Sequence, residues 1–123
     1  LAQDIRLGVA TGKSRRGLLA TLERHGLSGH FATLKTADDG PGKPNPDILN
    51  DAMAENGAVP ESTVMIGDTT YDIAMAVSAH AHSIGVAWGY HAPEELVATG
   101  ASQIAETFAD LPAVIADIWG IAR

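Results

Sequence analysis

Residues 64–72 read VMIGDTTYD: Val64, Met65, Ile66 and Gly67 run without polar alternation into Asp68, and Asp72 follows four positions later. A short apolar run without alternation is the mark of a strand covered on both faces, as in a parallel sheet. The small residues from 70 to 79 continue as a helix that can pack closely on that sheet. A carboxylate ending an apolar strand is costly without a partner. Asp72 lies one helical turn beyond Asp68. Two carboxylates so placed suit Mg²⁺, which takes one or two protein carboxylates and keeps water and phosphate oxygens as its other ligands. The plainer reading is that Asp68 and Thr70 cap the helix.

Outward from this segment, strands and helices alternate. Residues 5–11 (IRLGVAT) form a short apolar strand. Residues 14–25 follow as a helix with Leu18, Leu19 and Leu22 on one face and Gly26 at its exit. Residues 31–36 are a second strand, and 37–44 (ADDGPGKP) a polar loop. Asn45 caps the next helix, Pro46 takes its first position and Asp47 its positive end. Its inner stripe is Ile48, Leu49, Ala52 and Met53, and Gly57 closes it. Residues 63–67 and 83–88 are buried strands, 93–99 a short helix stopped by Gly100, and 103–105 a last short strand. Asp110 caps a final helix that turns Val114, Ile115, Ile118 and Trp119 inward. This order predicts an α/β fold: a parallel, Rossmann-like sheet in three αβα layers. A site in such a sheet lies at the carboxyl ends of the strands, which selects the loops after Thr11, Thr36, Gly67 and Trp88.

The chain has 123 residues, 46% of them apolar and 19% charged, which suits one globular domain over residues 1–123. Fifteen acids against eight bases give a net charge of −7. The only basic cluster is Lys13, Arg15 and Arg16, so nucleic acid and anionic membranes are not expected partners. No apolar run approaches the roughly 18 residues of a membrane helix, and no signal peptide is visible. Cysteine is absent, which excludes disulfides and thiolate zinc sites and fits a reducing, cytoplasmic location.

Two further loops carry chemistry. In Thr11-Gly12-Lys13-Ser14, a hydroxyl at a strand end meets a glycine and a helix N-terminus, where free amides and the helix dipole favour an anion. It reads equally as a strand-to-helix turn with an N-cap. Residues 8–14 (GVATGKS) look like a P-loop, with residues 64–68 as its downstream apolar strand ending in Asp, but that motif needs four residues between its glycines and here there are three, so it stays a minor alternative. In Gly42-Lys43-Pro44, flanking prolines 44 and 46 stiffen the backbone, so Lys43 is aimed. A fixed ammonium can neutralise phosphate charge and orient a carboxylate; the plainer reading is a solvated loop lysine. His80 and His82 sit at the wrong edge of the sheet for the site and read as a helix-end turn. His91, after Trp88-Gly89-Tyr90, is placed at the site entrance. His25 and His30 read as structural or solvated.

Thr11, Lys43 and Gly67-Asp68-x-x-x-Asp72, in this order, resemble the haloacid dehalogenase-like hydrolases, and within them the phosphoglycolate phosphatase-like branch. The supporting text is residues 9–17 (VATGKSRRG), 42–49 (GKPNPDIL), 65–76 (MIGDTTYDIAMA) and 84–90 (IGVAWGY), over nearly the whole chain. The resemblance implies a Mg²⁺-dependent phosphatase of a small phosphorylated metabolite, working through an aspartyl-phosphate. Thr11, helped by the Gly12 amide, would hold the transferring phosphoryl group and Lys43 would steady nucleophile and phosphate. Asp68 would bind the magnesium, and Asp72 would support it through water or through Lys43.

One departure matters most. The family begins with a strand ending in Asp-x-Asp, whose first aspartate is phosphorylated and whose second is the acid/base. No Asp-x-Asp occurs in these 123 residues: Asp4 precedes the first strand, and Asp38-Asp39 lies in the loop after the second. The small helical cap that follows the first motif is also absent. The chain therefore reads as the C-terminal portion of a longer phosphatase, inactive alone. The family's central strand would lie between the strands ending at Thr11 and Gly67. Without it the gap closes directly, a second copy pairs across it to make a homodimer, or sequence outside this chain fills it. A lesser departure is His80, where relatives carry glycine, a position that calls for the left-handed conformation. Two other readings remain open at this point: a receiver-type signalling domain, for which Thr11 stands where an acidic pair belongs and Lys43 comes too early, and a non-catalytic phosphate- or Mg²⁺-binding scaffold.

Overall fold

The computed structural model describes residues 6–119. The order is β1 (Gly8–Ala10), α1 (Arg15–Arg24), β2 (Thr33–Lys35), α2 (Asp47–Glu55), β3 (Val64–Gly67), α3 (Thr70–Ser78), β4 (His82–Val86), α4 (Pro93–Thr99), β5 (Gln103–Ala105) and α5 (Leu111–Trp119), with 3₁₀ turns at Pro60–Ser62 and Phe108–Asp110. Every strand pair is parallel, as the βα alternation predicts.

The pairing falls into two sheets, β1–β2 and β3–β4–β5. Among the described residues β1 and β3 do not pair with each other, so the gap expected between them is not closed directly. Helices hold the two parts together. Ile48, Leu49 and Met53 of α2 pack with Met75 and Ala76 of α3 and with Ala79. Ala10 of β1 and Met65 of β3 rest against this cluster. Ile73, Met75 and Ile84 are fully buried, each contributing roughly 2 kcal/mol of apolar transfer. In β4, Ser83, Ile84, Gly85 and Val86 are all buried, the pattern of a strand covered on both faces.

Several local expectations shift. The first strand is shorter than residues 5–11; Ile5 and Asp4 lie outside the described residues. The second, expected over 31–36, pairs only through Thr33–Lys35. Leu19 is exposed, because the α1 stripe follows Leu18 and Leu22 at i and i+4. Pro46, not Asn45, takes the cap position of α2 and makes no side-chain cap bond. Asn45 Oδ1 instead accepts from the Asp47 amide (2.9 Å), supplying the cap bond from one residue earlier. Strand β3 is not covered on both faces: Ile66 is 41% exposed. Thr107, not Asp110, leads the capping box before α5, with Asp110 as its reciprocal partner. In α5 only Ala116 is buried; Val114, Ile115, Ile118 and Trp119 are half-covered. Helix α4, its Gly100 stop and strand β5 fall where the sequence places them.

The left-handed position inferred at the end of α3 is present: His80 has φ 62°, and no other non-glycine described has positive φ. Here an L-residue takes a conformation that glycine adopts freely.

Candidate active site

The carboxyl ends of β1 and β3 and the loop before α2 meet at an open cleft of about 400 Å³, lined by Gly12, Gly42, Lys43, Asp68, Thr69, Tyr71 and Asp72. Four of the five residues singled out in the sequence, Gly12, Lys43, Asp68 and Asp72, are thus in one place. Thr11 is adjacent to this lining but not part of it. Its amide donates to the Lys35 carbonyl (3.0 Å), and its hydroxyl accepts from the Lys13 amide (3.2 Å).

The first turn of α3 builds the acidic wall. Thr69 is the N-cap, its hydroxyl accepting from the Asp72 amide (3.2 Å), while Asp72 answers as the third residue of a capping box. The alternative reading, a cap by Asp68 and Thr70, does not hold, because the cap is Thr69. Asp72 is buried and both its oxygens are engaged. Oδ1 pairs with the Lys43 ammonium. Oδ2 accepts from the amides of Asp68 and Thr69 (3.2 Å each) and from the Thr69 hydroxyl (3.0 Å). Lys43 is tied down rather than solvated, with its side chain 20% exposed and that of Asp72 7%. Gly67 is required here: a Cβ on it would lie 2.3 Å from Asp72 Cβ.

Asp68 is held from the other side by the loop after β4. Its Oδ2 accepts from the Tyr90 amide (3.0 Å) and its carbonyl from the His91 amide (3.0 Å). Gly89 lets that loop come this close, since a Cβ there would stand 2.0 Å from Asp68 Cβ. His91 does not line the cleft. Its Nδ1 accepts from the Thr70 amide (2.9 Å), and its ring sits beside Tyr90 and Tyr71 at centroid distances of 4.9 and 6.0 Å.

These donors bear on a metal. Among the described residues Asp68 has one oxygen, Oδ1, that accepts from no donor, whereas both oxygens of Asp72 are engaged. One open carboxylate beside a cleft fits Mg²⁺, which retains water and phosphate oxygens, and Asp72 fits a water-mediated part only. Among the described residues no group of three or more histidine, aspartate or glutamate side chains gathers as a metal cage. His80 and His82 form no such site; His82 Nε2 bonds to the Glu61 carbonyl (3.1 Å) at the amino-terminal end of β4.

Sequence reading missed Thr69, Gly89, Tyr90 and the ring of His91. The first was legible as Thr-x-x-Asp. Gly89, between two aromatics at a strand end, signals a close backbone approach. The amide of Tyr90 and the ring contact of His91 depend on loop geometry and leave no pattern.

Residues 1–86 match the family model described as haloacid dehalogenase-like hydrolase. The chain belongs to the haloacid dehalogenase-like hydrolases. Within them it falls in the phosphoglycolate phosphatase-like branch. It is 38% identical over 110 residues to "Probable phosphatase IndB" of Dickeya dadantii (strain 3937), across 89% of this chain and 48% of that protein. It is 31% identical over 110 residues to "Phosphoglycolate phosphatase" of Vibrio vulnificus (strain CMCP6), with the same coverage of 89% and 48%. The crystal structure of a hydrolase from Pseudomonas syringae superposes with a TM-score of 0.84 at 26% identity, over 94% of this chain and 54% of that one. The chain spans about half the length of the curated relatives it matches. Membership in this hydrolase family removes the receiver-domain reading, and the Lys43–Asp72 pair gives the early lysine a place in the cleft. No helix among the described residues is long and apolar enough to cross a membrane.

Proposed function

We propose that this chain is the metal- and phosphate-holding part of a Mg²⁺-dependent phosphatase that hydrolyses a small phosphorylated metabolite through an aspartyl-phosphate. The observation that carries this reading is the convergence of Gly12, Lys43, Asp68 and Asp72, from three separate loops, on one cleft. Phosphoglycolate is the named substrate of a relative only. A reducing compartment such as the cytoplasm suits the absence of cysteine.

The chemistry divides into two displacements. A carboxylate oxygen attacks phosphorus as the P–O bond to the metabolite breaks, and the departing oxygen takes a proton. Water then attacks the same phosphorus, releasing inorganic phosphate and restoring the carboxylate. Asp68, through Oδ1, would hold Mg²⁺, which supplies charge neutralisation between anionic nucleophile and anionic substrate. The Lys43 ammonium faces the cleft while bound to Asp72, so its charge is oriented before substrate arrives. The Gly12 amide and the Thr11 hydroxyl would receive phosphoryl oxygens at the head of α1. The attacking and acid/base aspartates of the family are not among these 123 residues, so the chain alone is expected to hydrolyse p-nitrophenyl phosphate negligibly. Rapid turnover abolished by Asp68→Asn would overturn that.

The test of the site is calorimetric titration of the 123-residue chain with tungstate, with and without Mg²⁺. Mg²⁺-dependent tungstate binding that Asp68→Asn removes supports the reading. Binding without Mg²⁺ and indifferent to Asp68 favours a non-catalytic phosphate scaffold. We also infer that residues 1–123 act as one core domain and that the edges of β1 and β3 left unpaired among the described residues allow two copies to pair. Light scattering that returns the monomer mass at every concentration would refute the pairing.

A further inference from the structure

Three bonds join the loop after β4 to Asp68 and the start of α3. Two come from backbone amides, Tyr90 to Asp68 Oδ2 and His91 to the Asp68 carbonyl. Almost any residue could supply these. The third runs the other way and needs a particular side chain: the Thr70 amide donates to His91 Nδ1 at 2.9 Å. Thr70 opens α3, so its amide has no partner within the helix. Three neighbouring donors are taken locally, Asp72 N by the Thr69 hydroxyl, and Asp68 N and Thr69 N by Asp72. The Thr70 amide is instead met by His91 from 21 positions away in sequence, whose ring sits beside Tyr71 and Tyr90.

We propose that His91 is a positioning residue: its Nδ1 pins the start of α3 to the 89–91 loop and so fixes the direction in which Asp68 presents its open oxygen. The inference rests on Asp68 as the metal ligand. Deleting the ring leaves Asp68 held by a loop that has lost its only side-chain anchor on α3 among the described residues. Partners that orient a metal-binding side chain in this way are typically worth roughly 10- to 100-fold in metal affinity. A neutral imidazole that accepts at Nδ1 carries its proton on Nε2.

The experiment uses the 123-residue chain, as wild type, His91→Ala, His91→Asn and Asp68→Asn, with Mn²⁺ as the probe. Asn can offer Oδ1 close to the position of Nδ1. His91→Ala should weaken Mn²⁺ binding about 10-fold and speed exchange of the Thr70 amide, and His91→Asn should restore both. Unchanged Mn²⁺ affinity in His91→Ala, beside a loss in Asp68→Asn, overturns the proposal while leaving the metal site standing. If wild type and Asp68→Asn bind Mn²⁺ alike, the metal reading fails instead. The Thr70 exchange rates then decide the pinning on their own, and equal rates in wild type and His91→Ala refute it. Should His91→Ala not fold, proton–nitrogen correlation of the wild-type ring decides the same point: protonation at Nε2 is expected, and at Nδ1 refutes it.

Discussion

The two walls of the cleft are built differently. On the acidic wall Asp72 accepts four bonds, Asp68 is held by three, and two glycines admit backbone contacts that no larger residue would allow. On the facing wall Gly12 has no atom beyond its chain neighbours within 4 Å of where its Cβ would stand, and Lys13 is exposed. Strand β1, which carries this loop, belongs to a sheet of two strands, whereas β3 belongs to one of three. The acidic wall is preorganised by its own chain, and its geometry is costly to change. The 11–14 loop is tied to its surroundings by Thr11 and Lys13, through Lys35 and Ala37, and internally by the Lys13 amide on the Thr11 hydroxyl, and Gly12 stands exposed in the cleft.

The sharpest way to break this comparison is to unbuild Asp72. Asp72→Ala strips four bonds and strands the Lys43 ammonium, and removing one member of a buried pair costs several kcal/mol. Because the lysine keeps 20% exposure, the expected loss is about 3 kcal/mol, at the low end of that range. Urea unfolding of the two proteins measures it. A loss below about 1 kcal/mol, the worth of a single ordinary hydrogen bond, would mean that the acidic wall is not a cooperative unit.

A matched pair of glycines tests both walls by one method. Gly89→Ala places a methyl 2.0 Å from Asp68 Cβ, so the loop must retreat, at a cost of roughly 2 kcal/mol. Gly12→Ala meets nothing and should change stability by less than about 0.5 kcal/mol. Its methyl enters the cleft, however, and tungstate affinity should fall. Equal destabilisation by the two substitutions would erase the contrast between the walls.

How much of this was legible beforehand follows the same division. The alternation of elements, the parallel sheet and the start of α3 were readable because local chemistry imposes them: an apolar run ending in Asp68, a small-residue helix, Gly100 at a helix exit. Leu19, Asn45 and Ile66 were misread because each is decided by neighbours. Leu19 lies one residue off the stripe, Pro46 takes the cap position that Asn45 was given, and Ile66 belongs to a strand paired on one side only among the described residues. For the site, Gly12, Lys43, Asp68 and Asp72 were visible as residue types at strand ends. The bonds from Tyr90 and His91 join segments about 20 residues apart, and only the fold could reveal them.

His80 refines the comparison within α3, whose first turn is held by its capping box and by His91 and whose exit is strained. With φ 62°, a histidine occupies a conformation costing an L-residue about 1 kcal/mol that glycine avoids. His80→Gly should therefore stabilise the chain by somewhat under 1 kcal/mol, since glycine also gains freedom when unfolded, and raise the melting temperature by a few degrees. A fall in melting temperature would mean that the histidine side chain is worth more than its backbone strain.

The smallest expected effect lies in the β1–β2 part and is read by pH. Asp39 is held below the ordinary carboxylate range, first by the Thr36 amide, then by the Thr36 hydroxyl and the Arg15 guanidinium. Arg15 also donates to the Leu34 carbonyl, so this carboxylate ties the head of α1 to the end of β2. A group with a lowered folded pKa binds its proton more readily when unfolded. Its stabilisation is therefore complete above the unfolded value, about 3.9, and drains away as pH falls below it. Glu55, lowered mainly by its bond to Lys35, acts in the same window. Lys35, raised mainly by that same bond, acts oppositely and loses its contribution only as pH climbs past the ordinary lysine range. Asp39→Asn should thus melt below wild type at neutral pH, and the difference should narrow as pH falls from about 4 to 3. A difference that stays constant across that interval would assign the loss to hydrogen-bond geometry alone, and the carboxylate charge would have no part in holding the β1–β2 wall of the cleft.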